Sequence, residues 1–519
     1  MDLQTARDGF VRARARRAAW EPLWRDCFHY AQPTRIQAVN GTNIPSRGSI
    51  VDMFDSTAID GVQQLAASLV AELTPPWSRW FGLVPGSEVE GDERDDLAII
   101  LDRATRSIQG HLDRSNFAVE IHQCFLDLVT IGTSTLQFEE AAIGESSAFS
   151  FTAVPVSEMF IDGDQGGSIS RQFRETVVSR HVMYHRFPEL QDSWPSTRGH
   201  DDDDDEPIRL VEAVYRHDGN TAYLAFADSQ QGSTAPVLLE EGRFEGSPFI
   251  TFRWLKGTGE LYGRAPVMSA LPDIKTANKV VELILKNASI AVTGIWLAED
   301  DGVLNPANIR LVPGTIIPKA PGSSGLTPLQ APGRLDVSEL VLEDLRSNIR
   351  HTLLTDRLAP LAGARMTATE VLERSAETAR LLGAIYGRLQ AELLTPLVNR
   401  AIAILVRRGE IPPIVIDGAT IELQYRSPLA RIHAREEMRN VMVWLDSASK
   451  LAAAGDGIID SQATIRWLAE QLGVPRELLS TKVPPRPVDA KRDTYMPDVT
   501  LPDISMAGLA DMLDAGRDE

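Results

Sequence analysis

The sequence contains very little cysteine, and it lacks the motifs that bind metals or nucleotide phosphates. Its 519 residues include two cysteines, Cys27 and Cys124, which lie far apart in the chain. They can supply neither a disulfide framework nor a zinc spacing, so both are predicted to be reduced, structural thiols. The nine histidines are scattered without an H-E-x-x-H pattern, and no Gly-Lys-Ser/Thr phosphate loop occurs. We therefore expect no metal, no cofactor and no ATP hydrolysis, and predict that the protein is not an enzyme.

Long apolar runs and an excess of positive charge are also missing. No stretch approaches the ~20 apolar residues of a membrane helix, and the first twenty residues are charged, which excludes a signal peptide. The formal net charge is −20, from 72 acidic and 52 basic residues. Proteins that grip DNA by neutralising its phosphates usually have the opposite balance. The sequence thus predicts a soluble protein with no membrane partner, whose contacts with DNA are local or non-adhesive.

Three short patterns resemble chemical motifs but lack essential members. Ser447 and Lys450 have the S-x-x-K spacing of a serine nucleophile, without an accompanying K-T-G or S-D-N. Asp162 and Asp164 resemble the start of a calcium loop whose twelfth position is Phe173 instead of glutamate. The glycines of GTGELYG lack the lysine and the spacing of a phosphate loop. We interpret the S-x-x-K spacing as a chance match, the Asp162 segment as an acidic turn, and the GTGELYG segment as a turn between a strand and a helix.

Apolar spacing divides the chain into helical and strand-like regions. Helices are predicted over 3–31, 56–73, 95–114 and 117–131. Short strands are predicted over 134–140, 150–156, 174–182, 207–217, 222–227 and 249–254, with an acidic loop at 201–206. A helix over 273–292, a Pro/Gly-rich β module over 294–335 and a helix over 336–356 follow. After an irregular segment at 358–365 comes a long helix from 367 to about 408, which Pro396 should kink near Glu392 because proline has no backbone donor. Two short strands over 412–427 and helices over 428–480 complete the pattern.

Five segments carry a more specific signal because they follow one another in a fixed order over about residues 17–412. Together they resemble the head-to-tail connecting (portal) proteins of T7-like podoviruses, while the C-terminal hundred residues carry little of this resemblance. The segments are Arg17-x-x-Trp20-Glu21-Pro22-Leu23-Trp24; Asp55-Ser56-Thr57-Ala58 with Leu65-Ala66-x-x-Leu69, Leu73-Thr74-Pro75-Pro76 and Trp80-Phe81; Ser115-Asn116-Phe117 with Gly132-Thr133; Tyr262-Gly263-Arg264-x-Pro266 with Leu271-Pro272-Asp273-Ile274-Lys275; and Arg365-Met366-Thr367-Ala368-Thr369-Glu370-Val371 with Arg388-Leu389-x-x-Glu392 and Pro396-Leu397.

The resemblance implies an α+β, helix-rich portal fold in which wing, stem, clip and crown regions build a closed ring. The predicted order of helix, small β module, helix, irregular break and long helix agrees with that arrangement. The implied regions are the wing at 1–262, a stem helix at 263–293, the clip at 294–335, a returning stem helix at 336–357, the tunnel loop at 358–366, a long wing helix and wing strands at 367–427, the crown at 428–480, and a partly disordered tail at 481–519.

The resemblance also implies a function and a set of partners. A ring of twelve copies would stand at one vertex of the capsid, after assembly in the host cytoplasm, and would serve DNA packaging, head–tail joining and genome ejection. The implied partners are further copies of the chain, double-stranded DNA, the terminase, a tail adaptor, and the major capsid and scaffolding proteins. Two alternatives stay open on the residues alone: another structural ring protein of the virion, such as a tail adaptor or scaffold, and a hydrolase with an unrecognised site.

Six residues are candidates for contacts within such a machine. Basic residues on the first stem helix and beside the tunnel loop could guide DNA, although lysines on an oligomer's helix often pair with acidic groups or face solvent. A tryptophan in the clip could anchor a docking partner, or belong to the clip's own core. These residues are Lys275, Lys279, Lys286, Arg357 and Arg365 for DNA, and Trp296 for docking.

Overall fold

The computed structural model describes residues 2–35, 53–76, 78–89, 91–164, 166–188, 207–217, 220–228, 236–293, 296–298, 326–328, 335–358, 383 and 385–425, and the single positions 441 and 464. The chain divides into two compact units, Met1–Glu437 and Met438–Glu519, and every element named below belongs to the first. The acidic run at 201–206, Ser447 and Lys450, the tail at 481–519 and nearly all of the predicted crown lie outside the described residues.

The N-terminal region forms two helices, so the prediction of one helix over 3–31 is wrong. Helix α1 spans Leu3–Ala18 and helix α2 spans Glu21–Ala31. The break falls just before Pro22, because proline cannot donate a backbone hydrogen bond to the preceding turn. Helix α1 packs on a β-sheet through Phe10 and neighbouring small residues, and α2 contributes Trp24 and Phe28 to the main core.

Three further helices support the main core close to their predicted positions. Helix α3 covers Thr57–Leu73, α4 covers Gly91–Arg114 and α5 covers Phe117–Ile131. Helix α5 ends at Gly132, whose φ of 77° is left-handed and whose N–H donates to the carbonyl of Leu128 at 2.9 Å. Glycine favours this C-terminal conformation because it has no Cβ.

The strands form three antiparallel sheets in this part of the chain. The strands are β1 (Phe81–Pro85), β2 (Thr133–Glu140), β3 (Phe149–Val154), β4 (Met159–Gly163), β5 (Ile169–Ser179), β6 (Pro207–His217), β7 (Asn220–Asp228), β8 (Val237–Phe244), β9 (Phe249–Arg253) and β12 (Ile421–Tyr425). Strands β1, β4 and β8 were not predicted, because each is short or only weakly alternating. A short helix, α6 (Arg180–Arg186), follows β5. The strand orders of the three sheets are β3-β2-β9, β4-β5-β6-β7-β8 and β1-β12.

The prediction of two strands over 412–427 is wrong, since the described residues 411–425 contain β12 alone. Pro412 and Pro413 lack the N–H groups that a second ladder would need.

Two long helices flank a small pair of strands in the next segment. Helix α7 (Pro266–Thr293) is followed by β10 (Trp296–Ala298), and β11 (Leu326–Pro328) is followed by α8 (Leu335–Thr352). A single helical turn, α9 (Thr355–Leu358), comes next. Helix α7 begins earlier than the predicted residue 273 and contains Pro272. The rest of the β module and residues 359–382 lie outside the described residues.

Helix α10 (Ile385–Arg407) contains the irregularity predicted near Glu392. Residues Gln390–Leu394 form a π-helical turn, in which the N–H of Thr395 donates to the carbonyl of Gln390. The turn lies directly before Pro396, where an α-helical hydrogen bond cannot form.

Helix α10 is long and apolar enough to cross a membrane by length and composition, contrary to the sequence expectation that no segment would be. Its apolar stripe is nevertheless buried inside the protein, and Arg400 on the same helix donates to the carbonyls of Phe138 and Gly246. These contacts are those of a core helix. The stripe comprises Ile385, Leu389, Leu393, Leu397, Ala401 and Leu405.

Candidate functional site

Helices α7 and α8 pack against each other. They correspond to the two stem helices that the resemblance implies. Strands β10 and β11 pair antiparallel, with Trp296 opposite Pro328 and Ala298 opposite Leu326. Because α7 leads into the first strand and α8 leaves the second, the helices run in opposite directions and the strand pair lies at their shared end. We call this unit the helix pair.

Burial changes sharply along the helix pair. The first half of α7 belongs to the main core, where Ile274 is 4% exposed and Ala277 is fully buried. On α8, the matching buried position is Ile349 at 1%. The half nearer the strand pair carries large apolar side chains in the open, and so presents a surface that a partner can cover. These side chains are Leu283 (54% exposed), Leu285 (52%), Leu340 (70%) and Val341 (46%).

The three candidate lysines of α7 all have acidic neighbours within the same chain. The Lys275 Nζ atom lies 2.6 Å from Oδ2 of Asp26 in α2. Lys279 and Lys286 both donate to Glu282, whose pKa is lowered by these hydrogen bonds. The lysine side chains are 39%, 61% and 65% exposed, in chain order, so these are surface pairs. Such pairs contribute little to stability and leave the ammonium groups accessible.

Of the other three candidate contact residues, the backbone of two is described. Trp296 lies in β10 by its backbone, and Arg357 lies in α9. The side chains of both residues, and the whole of Arg365, lie outside the described residues. Their roles, like those of the lysines, stay predictions.

The motif-like patterns are explained by local contacts wherever they are described. The carboxylate of Asp162 forms ion pairs with Arg16 and Arg171. In a calcium loop the same carboxylate would bind the ion. In the GTGELYG segment, Glu260 accepts hydrogen bonds from the Gly257 N–H and from Arg264 and closes a turn. Across the described residues, no group of three or more His, Cys, Asp or Glu side chains could hold a metal ion.

Both cysteines are free thiols in the core, as predicted. Burial raises the pKa of Cys27 to about 12 and also raises the pKa of Cys124. The Cys124 Sγ atom contacts the Thr135 carbonyl oxygen at 3.7 Å. Burial, reinforced by the charge of Arg35, lowers the pKa of nearby His122. A thiol held neutral in this way is a poor nucleophile.

No role was predicted for Asp55, Asn278 or Arg346, although the structure brings them together where the segment before α3 meets the helix pair. Asp55 belongs to one of the motif segments and stands two residues before α3, a spacing at which an aspartate accepts the backbone N–H two positions further along the chain. That signal could have identified it, but the partners on α7 and α8 could not be read from the sequence.

Comparison with known proteins assigns the chain to a family. The family described as "Bacteriophage head to tail connecting protein" matches residues 3–479. The chain belongs to this family, whose members join the head of a phage to its tail. It is therefore a phage portal protein.

Curated relatives agree with this assignment. The chain is 23% identical over 492 residues to the "Probable portal protein" of Bordetella phage BPP-1, which covers 90% of this chain and 86% of the relative. It is 22% identical over 422 residues to the "Portal protein" of Escherichia phage T7, covering 78% and 75%. The "Portal protein" of Enterobacteria phage T3 is likewise 22% identical over 408 residues, covering 76% and 73%.

Solved structures of similar chains come from gene transfer agent particles. One, titled "Neck of native GTA particle computed with C12 symmetry", is 14% identical and covers 85% of this chain and 99% of the other, with a TM-score of 0.35. Another, titled "Virion of native gene transfer agent (GTA) particle", gives a TM-score of 0.36 at 14% identity, covering 86% and 99%. Scores this low do not establish a shared fold, so the assignment depends on the sequence family.

Proposed function

We propose that twelve copies of this chain form a closed ring at one capsid vertex, and that the helix pair lines the channel through which double-stranded DNA enters and leaves. The observation that carries the proposal is the apolar surface on the outer half of the helix pair. Leu283 and Leu285 on α7, with Leu340 and Val341 on α8, lie open in the single chain. A head-to-tail interface repeated by rotation covers one flank of each subunit with the opposite flank of the next.

The regions of the chain take their proposed roles from this arrangement. Residues 1–262 and 367–427 form the wing, 263–293 and 336–357 the two stem helices, and 294–335 the clip. Residues 358–366 form the tunnel loop and 428–480 the crown. The antiparallel order of α7, the strand pair and α8 supports this division, because β10 and β11 lie at one shared end of the two helices.

The negative net charge of the chain suits a channel through which DNA must slide without being held. Each subunit carries a formal charge of −20, and a ring multiplies that charge around the DNA. A polyanion is repelled by an acidic wall, whereas dense phosphate neutralisation would oppose sliding. Lys275, Lys279 and Lys286 then provide a few local guiding contacts, and salt weakens any such contact because it screens exposed charges.

The proposed partners follow from the two ends of the channel. The clip, with Trp296 as its docking residue, binds the terminase during packaging and the tail adaptor afterwards. The wing contacts the major capsid and scaffolding proteins. The ring itself is structural and does not catalyse a reaction. An ATPase and nuclease assay tests this, since turnover that a point mutation abolishes would contradict it.

Mutation of the apolar surface tests the ring. Leu283→Ser combined with Leu340→Ser should abolish rings with a central hole in negative-stain images and leave smaller species by light scattering. Ile143→Ser is the matched control, because Ile143 is fully exposed in a turn outside the helix pair. Rings that survive the double substitution, or are lost equally in the control, would contradict the proposed interface. A wild-type chain that stays monomeric would overturn the ring itself.

A further inference from the structure

The short segment before α3 is held by the side chain of Asn278 on α7. Its Oδ1 atom accepts hydrogen bonds from the backbone N–H groups of Phe54, at 2.7 Å, and Asp55, at 3.1 Å. Asn278 is 8% exposed, so these bonds form away from solvent. The segment is therefore fixed to the first half of the helix pair through its backbone.

The carboxylate of Asp55 joins the same segment to α8. Its Oδ2 atom accepts from Nε of Arg346 at 2.8 Å and lies 2.7 Å from Nη2, while Oδ1 accepts from the N–H of Thr57 in the first turn of α3 at 3.0 Å. Asp55 is 7% exposed. Hydrogen bonds between ionised groups are shorter and stronger than neutral ones. One residue thus connects α3 with α8 and, through Asn278, with α7; we call this set of contacts the Asp55 clamp.

The Asp55 clamp lies at the level where the helix pair leaves the core. Just inside it, Ala277 on α7 and Ile349 on α8 are buried. Just beyond it, Lys279 on α7 and Glu343 on α8 have side chains that are 61% and 65% exposed. Leu342 on α8, which is 7% exposed, and the partly buried Val280 and Ile284 on α7 extend the main core beyond this level, while the outward faces of both helices are open. The direction of these outer halves relative to the body depends on what holds them at this level.

A second contact fixes α8 to α3 on the same side. Leu353, which is fully buried, fills a notch above Gly61, where an added Cβ would lie 2.6 Å from the leucine Cδ1. Leu353 directly follows the last residue of α8, and its N–H donates to the Ile349 carbonyl at 2.9 Å, so it continues the helix about two turns beyond Arg346. Arg346 and Leu353 together prevent α8 from rolling over α3.

We propose that Asp55 is a positioning residue that sets the angle at which the channel-lining helix pair leaves the body of the subunit. This inference depends on the proposed role of α7 and α8 as channel walls. When the hydrogen bonds of the Asp55 clamp are formed, the helix pair moves together with α3 and the core. When they are broken, the outer half of the pair pivots and the width of the channel changes. Burial alone would raise the pKa of Asp55, but the hydrogen bonds from Thr57 and Arg346 outweigh it and lower the pKa, so the carboxylate stays ionised.

Distance measurements between spin labels test the clamp directly. Cys27 and Cys124 are buried, so introduced surface cysteines can be labelled selectively. One label is placed on the outer half of α7 with Ala288→Cys and the other on α5 with Val119→Cys, both at exposed positions. Labelled chains are diluted with unlabelled ones so that each assembly holds one pair. In Asp55→Ala, the population at altered distances should grow at least about tenfold, the effect expected from losing charge-assisted hydrogen bonds.

Three controls separate positioning from general loosening. Arg346→Lys keeps a cation beside Asp55 and should restore most of the wild-type distribution that Arg346→Ala loses. Glu282→Gln weakens the exposed pairs of α7 beyond the clamp and should change nothing. A second label pair within the body, Val119→Cys with Ala15→Cys, should give the same distances in every variant. Asp55→Asn provides a milder test if the alanine variant folds poorly.

The outcomes are distinct. An unchanged α7 distance in both Asp55 variants, or equal broadening of the body pair, would overturn the clamp. If wild-type chains form no ring, the proposed function fails, yet the distances can still be measured on single subunits and the clamp judged separately.

Discussion

Arg253 and Glu392 form a buried, two-point ion pair between strand β9 and the π-helical turn of α10. The guanidinium donates from Nη2 to Oε1 at 2.6 Å and from Nε to Oε2 at 3.1 Å, and the Arg253 side chain is 5% exposed. Its Nη1 atom also donates to the carbonyls of Gly167 and Leu261, both at 2.9 Å. One arginine therefore fixes two loops and a strand to the irregular turn of α10.

Removing Glu392 should destabilise the subunit strongly. Glu392→Ala leaves the buried Arg253 charge without its carboxylate, and breaking a buried pair in this way costs about 3–5 kcal/mol. Denaturant unfolding monitored by tryptophan fluorescence measures the change in the free energy of unfolding. Glu282→Ala is the control, because its partners are exposed lysines and such pairs are worth about 0–1 kcal/mol. Equal effects of the two substitutions would show that the Arg253 pair has no special weight.

The pair of Arg35 and Asp127 should make stability depend on pH. Burial raises the pKa of Asp127 to about 6, although Arg35 acts against the shift. Because this folded value lies above the ordinary value of 3.8, the stabilising contribution of protonated Asp127 is complete below pH 3.8 and is lost as the pH rises through about 6. Arg35 stabilises the ionised carboxylate of Asp127, which predominates at pH 8. Arg35→Ala should therefore lower the melting temperature much more at pH 8 than at pH 5.

The control for this pH effect is Arg106→Ala, whose partner Asp102 is an exposed carboxylate on the same helix. Arg106→Ala should lower the melting temperature only slightly, and by the same amount at pH 5 and at pH 8. A melting-temperature loss from Arg35→Ala that is equal at pH 5 and pH 8 would contradict a buried carboxylate titrating near 6.

Gly132 should tolerate no side chain. An added Cβ would lie 2.6 Å from the backbone of Gly263 and Arg264, and the φ of 77° is unfavourable for any other residue type. Gly132→Ala should therefore cost several times the ~1 kcal/mol of left-handed strain alone, because the backbone must also move. Gly144→Ala isolates the strain, since Gly144 has a φ of 105° but open space around it. Thermal unfolding of the two variants gives the comparison, and similar losses would show that the close approach at Gly132 is unimportant.

The two thiols should react only when the protein unfolds. Burial raises the pKa of Cys27 to about 12 and that of Cys124 also, so neither thiol is ionised at pH 8. A chromogenic disulfide reagent should modify neither cysteine in the native protein and both in denaturant. Rapid reaction of either thiol at pH 8 without denaturant would show that the surrounding core opens readily.

Regular local patterns in the sequence determined much of the helical framework. The spacing of Val62, Leu65 and Leu69 specifies one buried face of α3, and the apolar stripe of α10 is buried where the pattern predicts. Pro396 by itself predicts a disturbed helix near Glu392, because the missing N–H is a property of the residue and not of its surroundings. The order of helix, small β module and helix is likewise visible in the sequence, since each element has its own periodicity.

Only the tertiary structure decided which distant side chains meet. Arg253 and Glu392 are separated by 139 positions, and Arg346 and Asp55 by 291, so no local pattern relates them. Strands β4 and β8 also escaped prediction, because β4 is short and β8 alternates only weakly, and such strands take their conformation from the neighbours to which they are hydrogen-bonded. Periodicity reports which face of an element avoids water; the partner that covers that face is selected by packing and charge across the whole folded chain.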